Sequence, residues 1–302
     1  MATRELGSAP RILPLSARAV APLLPGVSRL PWVAGGGGEI PDLELTLAQV
    51  RVDPKRLADY ARVCGFFLRD ELPATYPHVL AFPLHLALMA DGRFPFGAIG
   101  LVHVANRITQ RRSIQREERL ELRVRATSLE DHPRGRTFSL VSEAWVADEL
   151  VWEELSTMLH RGQRTDAVPV RDEHQPPSPS LSAEWRLPGN LGRRYAAVSG
   201  DRNPIHLHAL TARPFGFPRA IAHGMWTKAR CLAALEQRLP DAFNIDVRFR
   251  RPILLPATVG FGSAVEDDAI RFCVHDASID TRHLDGRVQP VRGVAEQGEK
   301  RR

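Results

Sequence analysis

The chain has 302 residues, 43% of them hydrophobic, and its formal net charge of +6 comes almost entirely from arginine, since only three residues are lysine. No apolar run approaches the roughly 18 residues of a membrane-spanning helix, and the N-terminus lacks the basic and then apolar order of a secretory signal. The arginines are spread along the chain without a recognised nucleic-acid motif, which argues against a nucleic-acid partner. We expect a cytoplasmic protein that acts on a small molecule.

The cysteines and histidines indicate neither a disulfide framework nor a metal site. Cys64, Cys231 and Cys273 are isolated and odd in number. The eleven histidines include no HExxH pattern. We expect reduced thiols and no bound metal.

Composition divides the chain into two halves of similar size. Residues 1–40 are rich in proline and glycine and predict an irregular arm. Residues 41–160 and 181–292 each contain strand and helix patterns, and the polar, proline-rich segment 161–180 between them predicts a linker. The polar end, residues 293–302, is expected to be disordered.

In the first half, residues 42–52 alternate as a strand does, and Asp53-Pro54 has the form of a helix cap followed by a proline in the first helical position. Helices are predicted over 54–64 and over the apolar segment 76–89. Residues 101–160 predict successive antiparallel strands.

The second half repeats this order. A strand is predicted over 183–187 and a helix over 190–198. The segment 224–239 is apolar on most sides and predicts a buried helix. The remaining strands are predicted over 243–251, 258–265, 269–275 and 282–291.

Two short matches indicate a duplication. YARVCGF at 60–66 aligns with YAAVSGD at 195–201, and ITQRRSI at 108–114 aligns with VRFRRPI at 247–253, in the same order and at nearly the same spacing. The second half has Asp201 where the first has Phe66, and it has His223-Gly224 where the first has Phe82-Pro83. We therefore predict one half with polar chemistry and one apolar half.

The polar groups of the second half are concentrated in one loop. Asp201, Asn203 and His206 lie within six residues, around Pro204. A carboxylate and an imidazole together can take a proton from water and return one to carbon, which is general acid–base catalysis. The same residues also fit an Asx turn and a hydrogen-bonded core histidine.

Gly224 opens the long apolar segment. An amide N–H at a helix start lacks a partner within the helix, and the positive end of the helix dipole lies there. Such an amide can stabilise an oxyanion on a thioester carbonyl.

Together these residues carry a family resemblance. The run Tyr195, Ser199-Gly200-Asp201, Asn203-Pro204-Ile205-His206, Phe217 and Ile221-Ala222-His223-Gly224-Met225 closely resembles the hydratase 2 motif of the MaoC-like dehydratases. The two-half layout is similar to the double-hotdog members of that family. A serine that the family often has further along the central helix has no counterpart in CLAAL at 231–235.

The resemblance implies an α+β double hotdog, in which each of two long helices is wrapped by an antiparallel sheet. It implies a (3R)-specific enoyl-thioester hydratase, or 3-hydroxyacyl-thioester dehydratase, of fatty acid metabolism. Asp201 and His206 would be the catalytic pair, with Asn203 and Ser199 in support and the Gly224 amide as oxyanion donor. No cofactor is implied beyond the coenzyme A or phosphopantetheine that carries the acyl group.

Binding residues are predicted around this centre. The acyl-pocket candidates are Phe66, Tyr76, Phe82 and Phe217, and the candidates for contacts with the thioester's phosphates are Arg250, Arg251 and Lys228. The partner would be an acyl-CoA or an acyl carrier protein, and a homodimer is possible for the chain. A hotdog acyl-CoA thioesterase and a non-catalytic acyl-binding subunit are the alternative functions.

Overall fold

The structure is a computed structural model, and it describes residues 1–12, 14–15, 39–97, 101–127, 129–162, 178–278 and 281–291. Most of the predicted arm, nearly all of the predicted linker and the predicted tail lie outside these ranges. Among the described residues, no helix is both long enough and apolar enough to cross a membrane.

The first half contains two helices and five strands that are neighbours in one antiparallel sheet. The strands flank α1 (Pro54–Cys64) and α2 (Tyr76–Met89). They are β2 (Leu43–Val50), β3 (Leu101–Gln110), β4 (Leu120–Ala126), β6 (Gly135–Val146) and β7 (Glu149–Arg161), with the short β5 (Glu130–His132) paired to β6.

The second half repeats the arrangement. It contains α3 (Leu191–Ser199), the one-turn helix α4 (Ala209–Ala212) and α5 (Gly224–Leu235). Short 3-10 turns cover Pro204–His206, Arg213–Phe215 and Glu236–Arg238. Its strands are β8 (Leu181–Leu187), β9 (Phe243–Phe249), β10 (Ala257–Glu266), β11 (Ala269–Asp276) and β12 (Arg282–Pro290).

One continuous sheet joins the halves. With β1 (Ala2–Glu5) at one edge, its strands follow the order β1-β2-β4-β6-β7-β3-β9-β12-β11-β10-β8. The join is the antiparallel pair β3–β9, in which Arg107 lies opposite Asp246. These two residues directly precede the matched segments 108–114 and 247–253, so they are equivalent in the two halves, and we infer a pseudo-twofold axis between them. Arg107 Nε lies 2.5 Å from Asp246 Oδ1 at that axis.

The matched helices α1 and α3 end in the same way. Gly65 and Gly200 follow them with φ of 86° and 84°, a left-handed conformation that glycine adopts without strain. The predicted start of α1 is also present, because the Asp53 side chain accepts from the backbone N–H groups of Lys55 and Arg56.

Helices α2 and α5 lie in the core, and residues of both halves form one continuous hydrophobic cluster. The assignment of Phe82-Pro83 as the counterpart of His223-Gly224 is wrong. Helix α2 begins at Tyr76, so Pro83 lies inside it. The residues that begin the two buried helices are Tyr76 in α2 and Gly224 in α5.

Part of the arm that was predicted to be irregular is a strand. Residues Ala2–Glu5 form the strand β1, which pairs in parallel with β2. This pairing joins segments about forty residues apart, and local sequence patterns carry no signal for it.

Candidate active site

The loop that carries Asp201 and His206 begins where α3 ends. Gly200 turns the chain, and a side chain at this position would meet the Ile12 side chain at 2.5 Å. The backbone N–H of Asp201 then donates to Ser199 Oγ at 3.2 Å, and the N–H of Asn203 donates to Asp201 Oδ1 at 3.1 Å. Asn203 Oδ1 in turn accepts from the N–H of Ile205 at 3.4 Å. These bonds form a tight turn that fixes the position of the Asp201 carboxylate.

His206 is held in one tautomer. Its Nδ1 lies 2.8 Å from the carbonyl oxygen of Ile221, and a carbonyl can only accept, so Nδ1 carries the hydrogen. Burial lowers the pKa of His206, although Asp201 and the Ile221 carbonyl partly oppose the shift. The neutral ring therefore keeps a lone pair on Nε2, and this ring lines a cavity.

His223 stacks on His206 and supports the loop. The two ring centroids are 3.7 Å apart. His223 Nε2 donates to the backbone oxygen of Asp201 at 3.1 Å and lies 3.7 Å from Asp201 Oδ2. Burial lowers the pKa of His223 to about 3, so this ring stays neutral. The sequence signal for His223 was its place before Gly224, and the contact with Asp201 was not predicted.

Asp201 lines the same cavity and keeps 29% of its side-chain surface exposed. Burial opposes ionisation of the carboxyl, but the neighbouring His223 and His206 and the Asn203 N–H outweigh it, and the pKa of Asp201 lies below its ordinary value. The loop therefore places an ionised carboxylate beside a neutral imidazole.

Gly224 is the first residue of α5 and also lines the cavity. Its N–H belongs to the first turn and has no acceptor within the helix. A Cβ at this position would lie 3.0 Å from the Phe249 ring, so the ring lies directly against the glycine. An oxygen in the cavity can approach this backbone only because no side chain projects from Gly224.

The cavity draws its wall from both halves. Phe82 and Phe217 line it, and so do Arg250 and Arg251. Phe66 and Tyr76 do not belong to this wall. Phe66 stacks on Tyr60 at 6.3 Å, and the Tyr76 ring meets Tyr60 edge-on at 5.1 Å within the core.

The prediction that Lys228 meets the phosphates is wrong. Its side chain is completely buried, and Nζ donates to Asn106 Oδ1 and to the backbone oxygens of Asn106 and Ile245. Burial lowers the pKa of Lys228 to about 7. This lysine bonds to β3 and β9, the two strands that join the halves, and its amine cannot reach a ligand at the cavity mouth.

The first half is not apolar inside, which corrects a further expectation. Glu154 is fully buried, and its carboxylate accepts from His78 Nδ1 at 2.8 Å and from Asn106 Nδ2 at 2.7 Å. A sequence signal did exist, because Glu154 alternates with Trp152 and Ser156 on the buried face of β7. A charged residue on a buried face requires a partner.

Asp201, His206 and His223 have donor atoms within 4.8 Å of one another, so they are the candidate metal ligands among the described residues. Their geometry fits a metal poorly. The imidazoles are stacked at 24°, so their in-plane lone pairs run side by side and do not converge, and one nitrogen of each ring is already bonded to a carbonyl.

Known proteins share this site region and this fold. A family model described as the MaoC like domain matches residues 182–285. The chain is 40% identical over 256 residues to 3-hydroxyacyl-thioester dehydratase X of Mycobacterium tuberculosis, a match that covers 83% of this chain and 88% of that protein.

Two solved structures extend the comparison. The crystal structure of HtdX from Mycobacterium tuberculosis matches with a TM-score of 0.74 at 38% identity, over 82% of this chain and 100% of that one. Another M. tuberculosis protein, described as having a double hotdog fold, matches with a TM-score of 0.51 at 14% identity, over 79% of this chain and 92% of that one. The fold prediction is confirmed, and the chain belongs to the MaoC-like dehydratase family.

Proposed function

We propose that the chain is a (3R)-specific enoyl-thioester hydratase that also works in reverse as a 3-hydroxyacyl-thioester dehydratase. One observation carries the proposal. The Asp201 carboxylate, the neutral His206 imidazole and the Gly224 amide line a single cavity. The relative that is 40% identical over most of the chain bears the name of this reaction.

In the hydration direction, a water molecule is hydrogen-bonded to the Asp201 carboxylate. It gives one proton to His206 Nε2 while its oxygen forms a bond to C3 of the enoyl thioester. The double-bond electrons move towards the thioester carbonyl. The Gly224 N–H donates to the oxygen that gains negative charge. A proton then passes from the pair to C2, so that one water has been added and both side chains return to their starting protonation states.

Dehydration follows the same steps in reverse. Asp201 and His206 lie together in one loop, so the groups that deliver the oxygen and the proton act from one face of the substrate. We therefore propose syn addition. The chain supplies every group that this chemistry uses, and no prosthetic group is needed.

The acyl carrier would enter past Arg250 and Arg251. Arg250 is half-buried and pairs with Asp285 at 2.6 Å, whereas Arg251 is exposed. Forked guanidinium groups suit the phosphates of coenzyme A or of a phosphopantetheine arm. Comparing kcat/KM for one acyl group on coenzyme A and on acyl carrier protein decides between the two carriers.

Absorbance at the enoyl-thioester band tests the reaction, with crotonyl-CoA as substrate and a thiol reagent in a parallel sample. We expect the band to decay without release of free thiol. Thiol release from a saturated acyl-CoA, with no change on crotonyl-CoA, would instead identify a thioesterase. No reaction with either substrate would leave an acyl-binding subunit as the function. Sedimentation velocity on the same sample measures whether the chain forms a homodimer.

A further inference from the structure

Arginines from both halves line the cavity that contains Asp201. Arg134 and Arg161 belong to the first half, and Arg250 and Arg251 belong to the second. The side chains of Arg134, Arg161 and Arg251 are exposed, and none of the three forms an ion pair with the residues that the structure describes. Their guanidinium groups are therefore available to an anion that enters the cavity.

The strands beside these arginines end at the same end of the sheet. Arg134 directly precedes β6, Arg161 is the last residue of β7, and Arg251 follows β9. The strands are antiparallel in the order β6-β7-β3-β9, so the start of β6 and the ends of β7 and β9 lie together. Adjacent strands are ~4.8 Å apart, so two inter-strand steps place the backbones of Arg161 and Arg251 roughly 10 Å apart.

Arg134 and Arg161 are direct neighbours. Gly135 lies opposite Arg161 in the β6–β7 pair, and the Gly162 N–H donates to the Arg134 carbonyl oxygen at 3.2 Å. The close approach of the two strands depends on Gly135, because a Cβ at this position would collide with the carbonyl oxygen of His160. The two arginine side chains therefore start from one tightly fixed piece of backbone.

Arg161 also contacts the second half. Its Cζ lies 5.4 Å from the centroid of the Phe217 ring, which is part of the cavity wall. An aromatic face attracts a guanidinium group and leaves the N–H groups at the edge of that group free to donate. Phe217 thus positions Arg161 beside the cavity without using its hydrogen-bond donors.

The second-half arginines are held by a separate set of bonds. The backbone N–H groups of Arg250 and Arg251 donate to the carbonyl oxygen of His283 at 2.9 and 3.4 Å. Two residues further on, the Ile253 carbonyl oxygen accepts from the Ala222 N–H at 2.9 Å, close to the start of α5. The cavity therefore has two cationic groups, Arg251 on the side of the oxyanion amide and the Arg134–Arg161 pair on the first-half side.

We propose that Arg134 and Arg161 bind the ribose 3′-phosphate of coenzyme A, which makes coenzyme A the acyl carrier. Coenzyme A has two separate anionic groups, a diphosphate and a 3′-phosphate, joined through a ribose. Two cationic groups roughly 10 Å apart suit this pair, with the diphosphate at Arg251. The phosphopantetheine arm of a carrier protein has only one phosphate and would leave the first-half arginines without a ligand. This inference rests on the proposed hydratase function and names its carrier.

Crotonyl-CoA and crotonyl-3′-dephospho-CoA differ only in this phosphate, and the wild-type enzyme provides the first test. We expect kcat/KM to be at least about tenfold higher for crotonyl-CoA, the factor that one charge-assisted hydrogen bond provides. The difference should lie in KM, because a phosphate remote from the reacting carbons binds equally in the substrate and in the transition state. Titration calorimetry with unacylated coenzyme A and dephospho-coenzyme A measures the same preference without turnover.

Variants of the two arginines locate the effect. Arg134→Gln and Arg161→Gln should each lower the preference for crotonyl-CoA, and the double variant should reduce the ratio of the two kcat/KM values to about one. Activity on crotonyl-3′-dephospho-CoA should stay at the wild-type level. Arg136→Gln is the matched control, because Arg136 pairs with Asp131 at 3.9 Å and is not part of the cavity wall. Thermal unfolding establishes that the variants are folded.

The outcomes separate this inference from the function on which it rests. Equal kcat/KM for the two wild-type substrates overturns the 3′-phosphate site and leaves the hydratase intact, and so does a preference that survives in the double variant. If the double variant loses activity only on crotonyl-acyl carrier protein, the arginines contact a carrier protein and the proposal is wrong. If no enoyl thioester reacts, the proposed function fails, and the calorimetric preference still decides the phosphate site.

Discussion

At the scale of single residues, the site depends on which nitrogen of each histidine carries a hydrogen. The carbonyls of Ile221 and Asp201 fix Nδ1–H on His206 and Nε2–H on His223. His206 is thereby left with a basic Nε2 in the cavity, while His223 acts on the loop backbone. Two adjacent histidines thus have different chemistry because their backbone partners differ.

Replacing Asp201 or His206 should abolish most of the turnover. We expect Asp201→Asn and His206→Gln each to lower kcat by at least ~10², the usual contribution of a positioned acid or base. Steady-state rates on crotonyl-CoA measure this, with circular dichroism to verify the fold. His208→Gln is the matched control, since His208 is in the same loop and is not part of the cavity wall. Near wild-type turnover in either pair variant would rule out its role.

The pH profile should reflect a neutral imidazole beside a carboxylate. Burial lowers the pKa of His206 below its ordinary value of 6.5, and the pKa of Asp201 is also lowered. The active form is therefore complete at neutral pH and is lost as the pH falls through the pKa of His206. We expect the acid limb of kcat/KM to lie below pH 6.5. A limb centred above that value would contradict the assignment of His206 as the neutral base.

At the scale of elements, the start of α5 places an amide in the cavity. We expect Gly224→Ala to lower kcat at least about tenfold, because the new methyl group meets the Phe249 ring at 3.0 Å and displaces the amide or the ring. Gly7→Ala is the control, since a methyl group there meets nothing within 4 Å. Unchanged kcat with a raised KM would show that the amide contributes only to binding.

The same helix carries Lys228, whose burial couples stability to pH. Burial lowers its pKa from 10.5 to about 7, so between these values the unfolded chain holds a proton that the folded chain has lost. The free energy of unfolding therefore gains a contribution that rises with pH over this window. Relative to Lys228→Met, the wild type should gain about 1 kcal/mol or more between pH 7 and pH 10.5.

Urea unfolding at several pH values measures this difference. Lys55→Met is the matched control, because the Lys55 side chain is 86% exposed and its profile should run parallel to that of the wild type. Parallel profiles for Lys228→Met as well would show that the buried lysine does not titrate in this range.

Local patterns predicted most elements, and the reasons are visible in particular residues. Asp53 and Pro54 mark the start of α1, and the loop around Asp201 is specified by residues a few positions apart. The buried network could not be predicted in the same way. His78, Asn106, Glu154 and Lys228 come from α2, β3, β7 and α5, and only the fold brings them together.

The error at Phe82-Pro83 has a different cause. Proline usually marks a helix start, but Pro83 lies seven residues into α2, which already has Pro77 in its first turn. Lys228 was misassigned because a lysine in an apolar segment is expected to extend its amine to solvent. Here the backbone oxygens of Asn106 and Ile245 provide acceptors inside the core.

At the scale of the whole molecule, the two halves share one sheet and one core. The sheet passes from β3 to β9 without interruption, and the hydrophobic cluster includes residues of both halves. We therefore expect a single cooperative unfolding transition, with equal calorimetric and van't Hoff enthalpies. Two separate transitions in the calorimeter would show that the halves are independent domains.

Under the proposed mechanism, both halves contribute to the stereochemistry of the reaction. The proposed catalytic groups come from the second half, and the first half supplies much of the cavity wall. We expect a substrate bound in this cavity to meet Asp201 and His206 on one face only. We therefore expect both new bonds to form on that face.

Hydration of crotonyl-CoA in deuterium oxide tests this most directly. The relative configuration at C2 and C3 of the product is read from proton coupling constants, and the absolute configuration at C3 from chiral analysis. We predict a (3R)-3-hydroxyacyl product with the C2 deuteron and the C3 oxygen added to the same face. Anti addition, a mixture of the two faces or a (3S) product would contradict catalysis by a single Asp201–His206 pair.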